Sequence, residues 1–289
     1  RKISPSQTVE VKSQPKFVDF TGPEEQKLSL RKKLPLTASN GSSNGLIYYP
    51  EETNKIQIVL HHTAVNAPIE NIVRNWRKLS SHVSTHFIIN RNGDYDQLFP
   101  LKYWGNHIGS KRKGNSYLQK HTISIELEGL GFLKYVNGTG ALQGGGFRDT
   151  ARFKQGSETF TYKDLKQGLD YPAVAKPVVI LSSDDSIRSM SSYRGYTYYQ
   201  AYTPPQLATL KKVLTQIQGE YPNIVIGSTS ANSGKQGTKY SDQFPGKGKV
   251  SDTAFQNNRG IFTHNSYRTD KRDIFPQKEL IELLQEFDK

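Results

Sequence analysis

Short strand patterns alternate with amphipathic helix patterns along most of this chain, and that alternation most constrains its fold. In residues 56–61 every second residue is Ile or Leu, and the residues between them, which end with His61, face the opposite side. Further strand patterns lie at residues 85–90, 95–99, 122–128 and 223–227, and helix patterns at residues 68–79, 203–217 and 278–287. Strands interleaved with helices predict an α/β fold with a mixed central β-sheet flanked by helices.

Three segments fall outside this alternation and define the predicted domain organisation. Residues 1–45 are rich in Ser, Pro, Lys and Gln and end in a Ser/Asn/Gly run typical of a linker, so we expect an N-terminal extension there and one domain over residues 46–289. Residues 130–200, with a cluster of tyrosines, and the Gly/Ser/Lys-rich residues 228–258 are predicted insertions in that domain. Long loops are usually functional or disordered. Residues 130–200 fit a lid that grips substrate and a docking surface equally well, and residues 1–45 are a second candidate for docking to another protein.

Composition narrows the choice of partners and metal ligands. The chain has no cysteine, so any metal must be held by His, Asp or Glu. The net charge of +13 favours a polyanionic partner, and nucleic acid, an anionic membrane and an anionic cell-wall polymer all qualify. The basic residues form no nucleic-acid-binding motif, so a nucleic-acid partner is not expected, and no apolar stretch approaches the roughly 18 residues of a membrane span. Because the chain begins with Arg1, we expect a processed or truncated product.

Two histidines and an acidic residue stand where they can form a metal site. His61 and His264 each follow a buried strand pattern, and Asp273 comes nine residues after His264. Two imidazoles and one carboxylate leave one position open on a tetrahedral zinc ion. A histidine at the end of a strand is more often structural, so this pattern alone leaves both interpretations open.

A glutamate on an otherwise apolar strand adds a candidate for proton transfer. Glu126 alternates with Ile and Leu in residues 122–128, and a buried carboxyl is costly unless it is paired or functional. Beside an activated water it would act as the proton acceptor. The alternative is that Glu126 lies on the solvated face of an edge strand.

Five motifs in order resemble a known family. They are I-V-L-H-H-T-A (58–64), S-T-H-F-I-I-N-R-N-G (84–93), W-G-N-H-I-G (104–109), I-S-I-E-L-E-G (123–129) and H-x6-K-x-D (264–273). Together they resemble the zinc-dependent N-acetylmuramoyl-L-alanine amidases, the superfamily that includes phage lysozyme-type amidases and peptidoglycan recognition proteins. The likeness covers about residues 46–129 and 203–289.

The resemblance assigns roles position by position. It implies that His61, His264 and Asp273 are the zinc ligands, Glu126 the catalytic glutamate and Lys271 the residue that stabilises the developing oxyanion, while His107 resembles a substrate-contacting histidine and His86 a conformational or substrate-side one. The chain departs from the family in the bulky Arg272 between Lys271 and Asp273, and in its two insertions.

The expected function follows from this resemblance. It implies zinc-dependent hydrolysis of the amide bond between N-acetylmuramic acid and L-alanine in peptidoglycan, at the bacterial cell wall, by a secreted, periplasmic or virion-associated protein. A phage lysin or a tail or injection device would fit. The alternatives are a non-catalytic peptidoglycan-binding module and a structural tail-associated protein.

Overall fold

The computed structural model describes residues 48–49, 51–78, 83–136, 147, 149–166, 172–180, 186–228, 237–256 and 259–288, and the predicted extension at residues 1–45 lies outside them. The strands are β1 (Tyr48–Tyr49), β2 (Gln57–His62), β3 (Phe87–Ile89), β4 (Tyr95–Gln97), β5 (Trp104–Gly105), β6 (Thr122–Leu127), β7 (Phe132–Val136), β8 (Arg152–Gln155), β9 (Glu158–Thr161), β10 (Val174–Ala175), β11 (Val178–Ile180), β12 (Ile187–Ser189), β13 (Tyr198–Gln200) and β14 (Gly260–Thr263). The helices are α1 (Ile69–Lys78), α2 (Asn115–His121), α3 (Tyr162–Lys166), α4 (Pro204–Glu220), α5 (Tyr240–Gln243), α6 (Asp252–Phe255) and α7 (Lys278–Gln285), with a 3-10 turn at His264–Ser266.

The central sheet has the strand order β14-β2-β6-β3-β4. The first four strands are parallel, and β4 pairs antiparallel with β3 at the edge. Helices α4 and α7 cover one face, where their leucines and isoleucines pack against Ile58, Leu60, Ile123 and Ile125. The predicted α/β fold with a mixed central sheet is therefore confirmed.

The strand register places polar side chains on the opposite face. His61 in β2 lies directly beside Glu126 in β6, and both alternate with the Leu60 and Ile125 side chains that face the helices. Because the carboxyl ends of parallel strands meet at one edge of the sheet, residues that follow these strands converge there. His264 follows β14 immediately and joins the same edge.

The first predicted insertion is a folded layer. Strands β10, β13, β7, β8 and β9 form a five-stranded antiparallel sheet with its own core of aliphatic and aromatic side chains. Its first residues close on the central sheet at Gly131, which has a φ of +72°. A Cβ atom at Gly131 would lie 2.2 Å from Cε1 of His62, so only glycine permits this approach.

One predicted strand is wrong. Residues 223–227 form no strand, because the chain turns there and the N–H of Ile224 bonds back to the carbonyl of Tyr221. Ile224 and Ile226 are fully buried against the core, so their apolar character reflects burial of a turn. Within the described residues, every helix is too short or too polar to cross a bilayer.

Candidate active site

His61, His264 and Asp273 come together at the carboxyl edge of the sheet. One ligand atom from each lies within 4.8 Å of the others, and all three residues are buried. The Asp273 Oδ2 atom is 3.0 Å from Nδ1 of His264 and 3.5 Å from Nδ1 of His61. The sequence predicted these three as metal ligands, and the fold brings them to one point.

A chain of hydrogen bonds determines which nitrogen of His61 carries the proton. The Thr122 hydroxyl donates to the carbonyl of Leu118 at 2.8 Å, so its oxygen must accept from Nε2–H of His107 at 2.7 Å. Burial lowers the pKa of both His61, to about 4, and His107, well below its usual value, so each neutral ring has one proton. Nδ1 of His107 therefore accepts from Nε2–H of His61 at 3.0 Å. The lone pair of His61 Nδ1 is left facing Asp273.

A single hydrogen bond determines the tautomer of His264. Its Nε2 atom lies 2.8 Å from the carbonyl oxygen of Ile108, which only accepts, so the proton is on Nε2 in the neutral ring and the lone pair is on Nδ1. Two lone pairs and one carboxylate thus face each other in a buried space, an arrangement that suits a cation.

Glu126 lies next to this cluster in an unusual electrostatic setting. Its side chain is buried, and its Oε2 atom has no hydrogen-bond partner among the described residues. Burial raises the pKa of Glu126 well above its usual value, Asp273 raises it further, and the charge of Lys271 opposes the rise. Strongly shifted carboxyl groups of this kind are typical of acid–base chemistry.

The cluster opens into a cavity of about 500 Å³. The cavity is lined by all three candidate ligands, by Glu126, His107 and Lys271, and at its rim by Phe132 and Arg272. Sequence reasoning therefore selected residues that share one cavity. It missed Phe132, which belongs to the first insertion.

The two remaining predicted site residues lie in different surroundings. His107 lines the cavity, but both of its ring nitrogens bond within the protein, to His61 and Thr122, so it orients a candidate ligand. His86 is fully buried and does not line the cavity. Its ring bonds to Ser124 and to the carbonyl of Tyr103, contacts that are typical of a structural residue. Sequence reasoning also missed Thr122, and the only available signal was its position on the polar face of β6.

One known protein family matches more than half of the chain. Residues 53–241 match the model of the N-acetylmuramoyl-L-alanine amidase family, a stretch that includes His61 and Glu126. No curated protein matches the chain.

Three solved structures are similar at low identity. AmpDh3 from Pseudomonas aeruginosa is 15% identical with a TM-score of 0.30, and the match covers 60% of this chain and 48% of that one, about half its length. A selenomethionine derivative of AmpD is 15% identical with a TM-score of 0.35, and the match covers 84% of this chain and 94% of that chain. The amidase LysC from Clostridium intestinale URNW is 13% identical with a TM-score of 0.34, and the match covers 83% of this chain and 93% of that chain. Since the family model spans well over half of the residues, the chain belongs to the N-acetylmuramoyl-L-alanine amidase family of enzymes.

Proposed function

We propose that this chain is a zinc-dependent amidase that cleaves the bond between N-acetylmuramic acid and L-alanine in peptidoglycan. The observation that carries the proposal is the buried cluster of His61, His264 and Asp273, in which both imidazoles present an Nδ1 lone pair to a carboxylate. Family membership supports a peptidoglycan amidase, and the cluster supports a metal requirement.

The donor set fits zinc. Two neutral imidazoles and one carboxylate are a ligand combination of catalytic zinc sites, which keep a fourth position for water or substrate. Each imidazole is also held by a partner on its other nitrogen, His107 or the Ile108 carbonyl, as metal-ligating histidines usually are. Zinc held there would polarise the scissile carbonyl and make a water molecule acidic enough to lose its proton near neutral pH.

Glu126 is the proposed proton carrier. As water attacks the carbonyl carbon, Glu126 accepts the proton that the water loses, and it then gives that proton to the alanine nitrogen as the C–N bond breaks. The products are a lactyl carboxylic acid and a peptide with a free amino terminus. The raised pKa of Glu126 suits the second step, and positive charge from Lys271 and from a cation at the cluster favours the ionised form needed for the first.

Lys271 is the proposed oxyanion stabiliser. It lines the same cavity as Glu126, and its charge acts on both Glu126 and His61. A donor of this kind is typically worth about 3 kcal/mol in the transition state. Arg272 adds positive charge to the lining, which suits a substrate that carries carboxylates, whereas the charge of Arg268 is paired with that of Asp270.

The proposed place of action is the bacterial cell wall, by a secreted, periplasmic or virion-associated protein, including a phage lysin or tail device. The net charge of +13 supports attraction to anionic wall polymers. We expect activity on intact walls to fall as salt rises, because salt screens exposed charges, whereas activity on soluble fragments should change little. Equal salt sensitivity on both substrates would contradict this role of the charge.

A digest of purified peptidoglycan tests the reaction. The zinc-loaded protein should release stem peptides with a free N-terminal alanine, identified by mass spectrometry, and a chelator should stop the release until zinc is restored. Protein with verified zinc that releases no such peptide would refute the proposal. If that protein still sedimented with the peptidoglycan, it would be a binding module.

A further inference from the structure

Arg194 belongs to the first insertion, yet it is buried between two other segments of the chain. It lies in the short turn from Tyr193 to Tyr196, with a φ of +48°, and only 6% of its surface is exposed. Non-glycine residues adopt this left-handed conformation rarely, and such residues persist where surrounding contacts hold them. The contacts of Arg194 therefore indicate what the turn does.

The guanidinium of Arg194 donates five hydrogen bonds to main-chain carbonyls. Nη1 bonds to the carbonyls of Pro245 at 2.9 Å, Gly246 at 3.0 Å and Lys249 at 3.4 Å. Nη2 bonds to those of Arg268 at 3.1 Å and Thr269 at 2.7 Å. Hydrogen bonds from a charged donor are stronger than neutral ones. One side chain thus joins the first insertion, the second insertion and the start of the loop that carries Lys271 and Asp273.

Tyr193 contacts Asn265, which is bonded to the far end of the same loop. Its hydroxyl accepts from Nδ2 of Asn265 at 3.1 Å, and that Nδ2 also donates to the carbonyl of Ile274 at 2.8 Å. The main-chain N–H of Asn265 donates to the carbonyl of Asp273 at 3.1 Å. Asn265 follows His264 directly, so Tyr193 stabilises the residue that ties His264 to Asp273.

Two aromatic rings of the insertion hold the centre of the loop. The guanidinium of Arg272 lies 5.4 Å from the ring centroid of Phe132 and 5.4 Å from that of Tyr196. The two rings are 4.3 Å apart and form one surface. Cation–π contacts at exposed sites are individually modest. Here they fix the residue between Lys271 and Asp273, and they account for the bulky side chain at that position.

We propose that the first insertion is a positioning device for the loop at residues 268–273, acting through Arg194, Tyr193 and the Phe132–Tyr196 surface. Of these residues only Phe132 is part of the cavity lining; together they hold Lys271 and Asp273 at the cavity. The catalytic part of this inference rests on the proposed function. The structural part, that the insertion restrains the loop, stands apart from it.

The test compares the full chain with its Arg194→Ala variant. The matched control is Arg188→Ala, which removes an exposed arginine from the same insertion. Tryptic cleavage after Lys271 and Arg272, located by mass spectrometry, should be at least about tenfold faster in Arg194→Ala, because cleavage requires the loop to leave its place. Zinc affinity should fall about tenfold, as for loss of other groups that orient ligands. The kcat should fall by about 100-fold with little change in KM, because a misplaced Lys271 weakens the transition state.

Added guanidinium ion should partly restore kcat and zinc affinity in Arg194→Ala, because it replaces the missing hydrogen-bond donors. It should raise neither quantity in wild type, where those donors are present. Should Arg194→Ala fail to fold, Tyr196→Ala removes one of the two rings that Arg272 packs on, keeps both trypsin sites, and should accelerate cleavage after Lys271 and Arg272 several-fold. Unchanged cleavage and zinc affinity in a folded variant would overturn the inference. An inactive wild type whose loop is nevertheless released by Arg194→Ala would overturn the proposed function alone.

Discussion

Replacing Thr122 with Val tests the hydrogen-bond chain that orients His61. The change keeps the shape of the side chain but removes the oxygen that accepts from Nε2–H of His107 at 2.7 Å. The buried His107 ring then has two choices. It keeps an unsatisfied N–H, or it moves the proton to Nδ1, which forces the proton of His61 onto the nitrogen that faces Asp273.

The expected magnitude follows from those two choices. Without metal, the two rings relieve the unsatisfied donor by changing tautomers; metal binding at Nδ1 of His61 forces the original tautomers back. The penalty of a buried unsatisfied donor, about 1–3 kcal/mol, therefore appears in the metal affinity. At 1.4 kcal/mol per tenfold change, the Kd for zinc should rise about 5- to 150-fold.

A competition titration with a chromophoric chelator measures this Kd. Thr122→Ser keeps the hydroxyl and should bind zinc as wild type does. Thr209→Val removes another largely buried threonine hydroxyl, bonded to the carbonyl of Gly93, and should also leave affinity unchanged. Wild-type affinity in Thr122→Val, or an equal loss in Thr209→Val, would refute the assignment of the tautomers.

Three further predictions concern single side chains. Glu126→Gln should lower kcat about 10²- to 10⁴-fold while zinc stays bound, because it removes only the proton carrier; loss of zinc by this variant would contradict the role. Lys271→Met should raise the activation free energy by about 3 kcal/mol, which lowers kcat roughly 100-fold, and should leave zinc affinity unchanged. A change confined to KM would show a binding role instead. Burial, Glu70 and Asp94 raise the pKa of Asp96 to about 6, so the folded state binds more protons than the unfolded state and the contribution of Asp96 to stability falls as pH rises from about 4 to 6. Above pH 6, Asp96→Asn should therefore be more stable than wild type by about 1 kcal/mol, after allowance for solvent screening. At low pH the two proteins should be equally stable in thermal unfolding. A stabilisation that does not depend on pH would contradict the shift in pKa.

Much of the central fold was predictable because its signals are local. The alternation in β2 and β6 identified both strands and the face on which His61 and Glu126 lie, since successive side chains of a strand point to opposite sides. The predicted helix at residues 203–217 corresponds to α4, whose first turn is capped by the Thr203 side chain, which accepts from the N–H of Gln206. The segment at residues 223–227 failed because a buried turn and a buried strand share the same apolar composition.

Residue roles were less predictable, because they depend on partners that are distant in sequence. The resemblance implied a substrate contact for His107 and a conformational or substrate-side role for His86, whereas the ring of His107 bonds to His61 and that of His86 bonds to Ser124 and the carbonyl of Tyr103. The first insertion carried no motif that matched the family, so sequence reasoning left its role open between a lid and a docking surface. Its contacts with Arg268, Thr269 and Arg272 indicate a restraint on the loop.

The sequence by itself determined the chemistry that was available: two histidines and a carboxylate without any cysteine, a glutamate on an apolar strand, and a mixed α/β sheet to carry them. Those properties follow from residue type and from the two-residue alternation of side chains along a strand, and both can be read from a short stretch of sequence. Only the tertiary structure decided that His61 lies beside Glu126, that Thr122 and His107 set the tautomer of His61, and that Arg194 reaches the loop of Asp273. Each of these depends on strand register or on the path of an insertion, and both are set by packing between segments far apart in the chain.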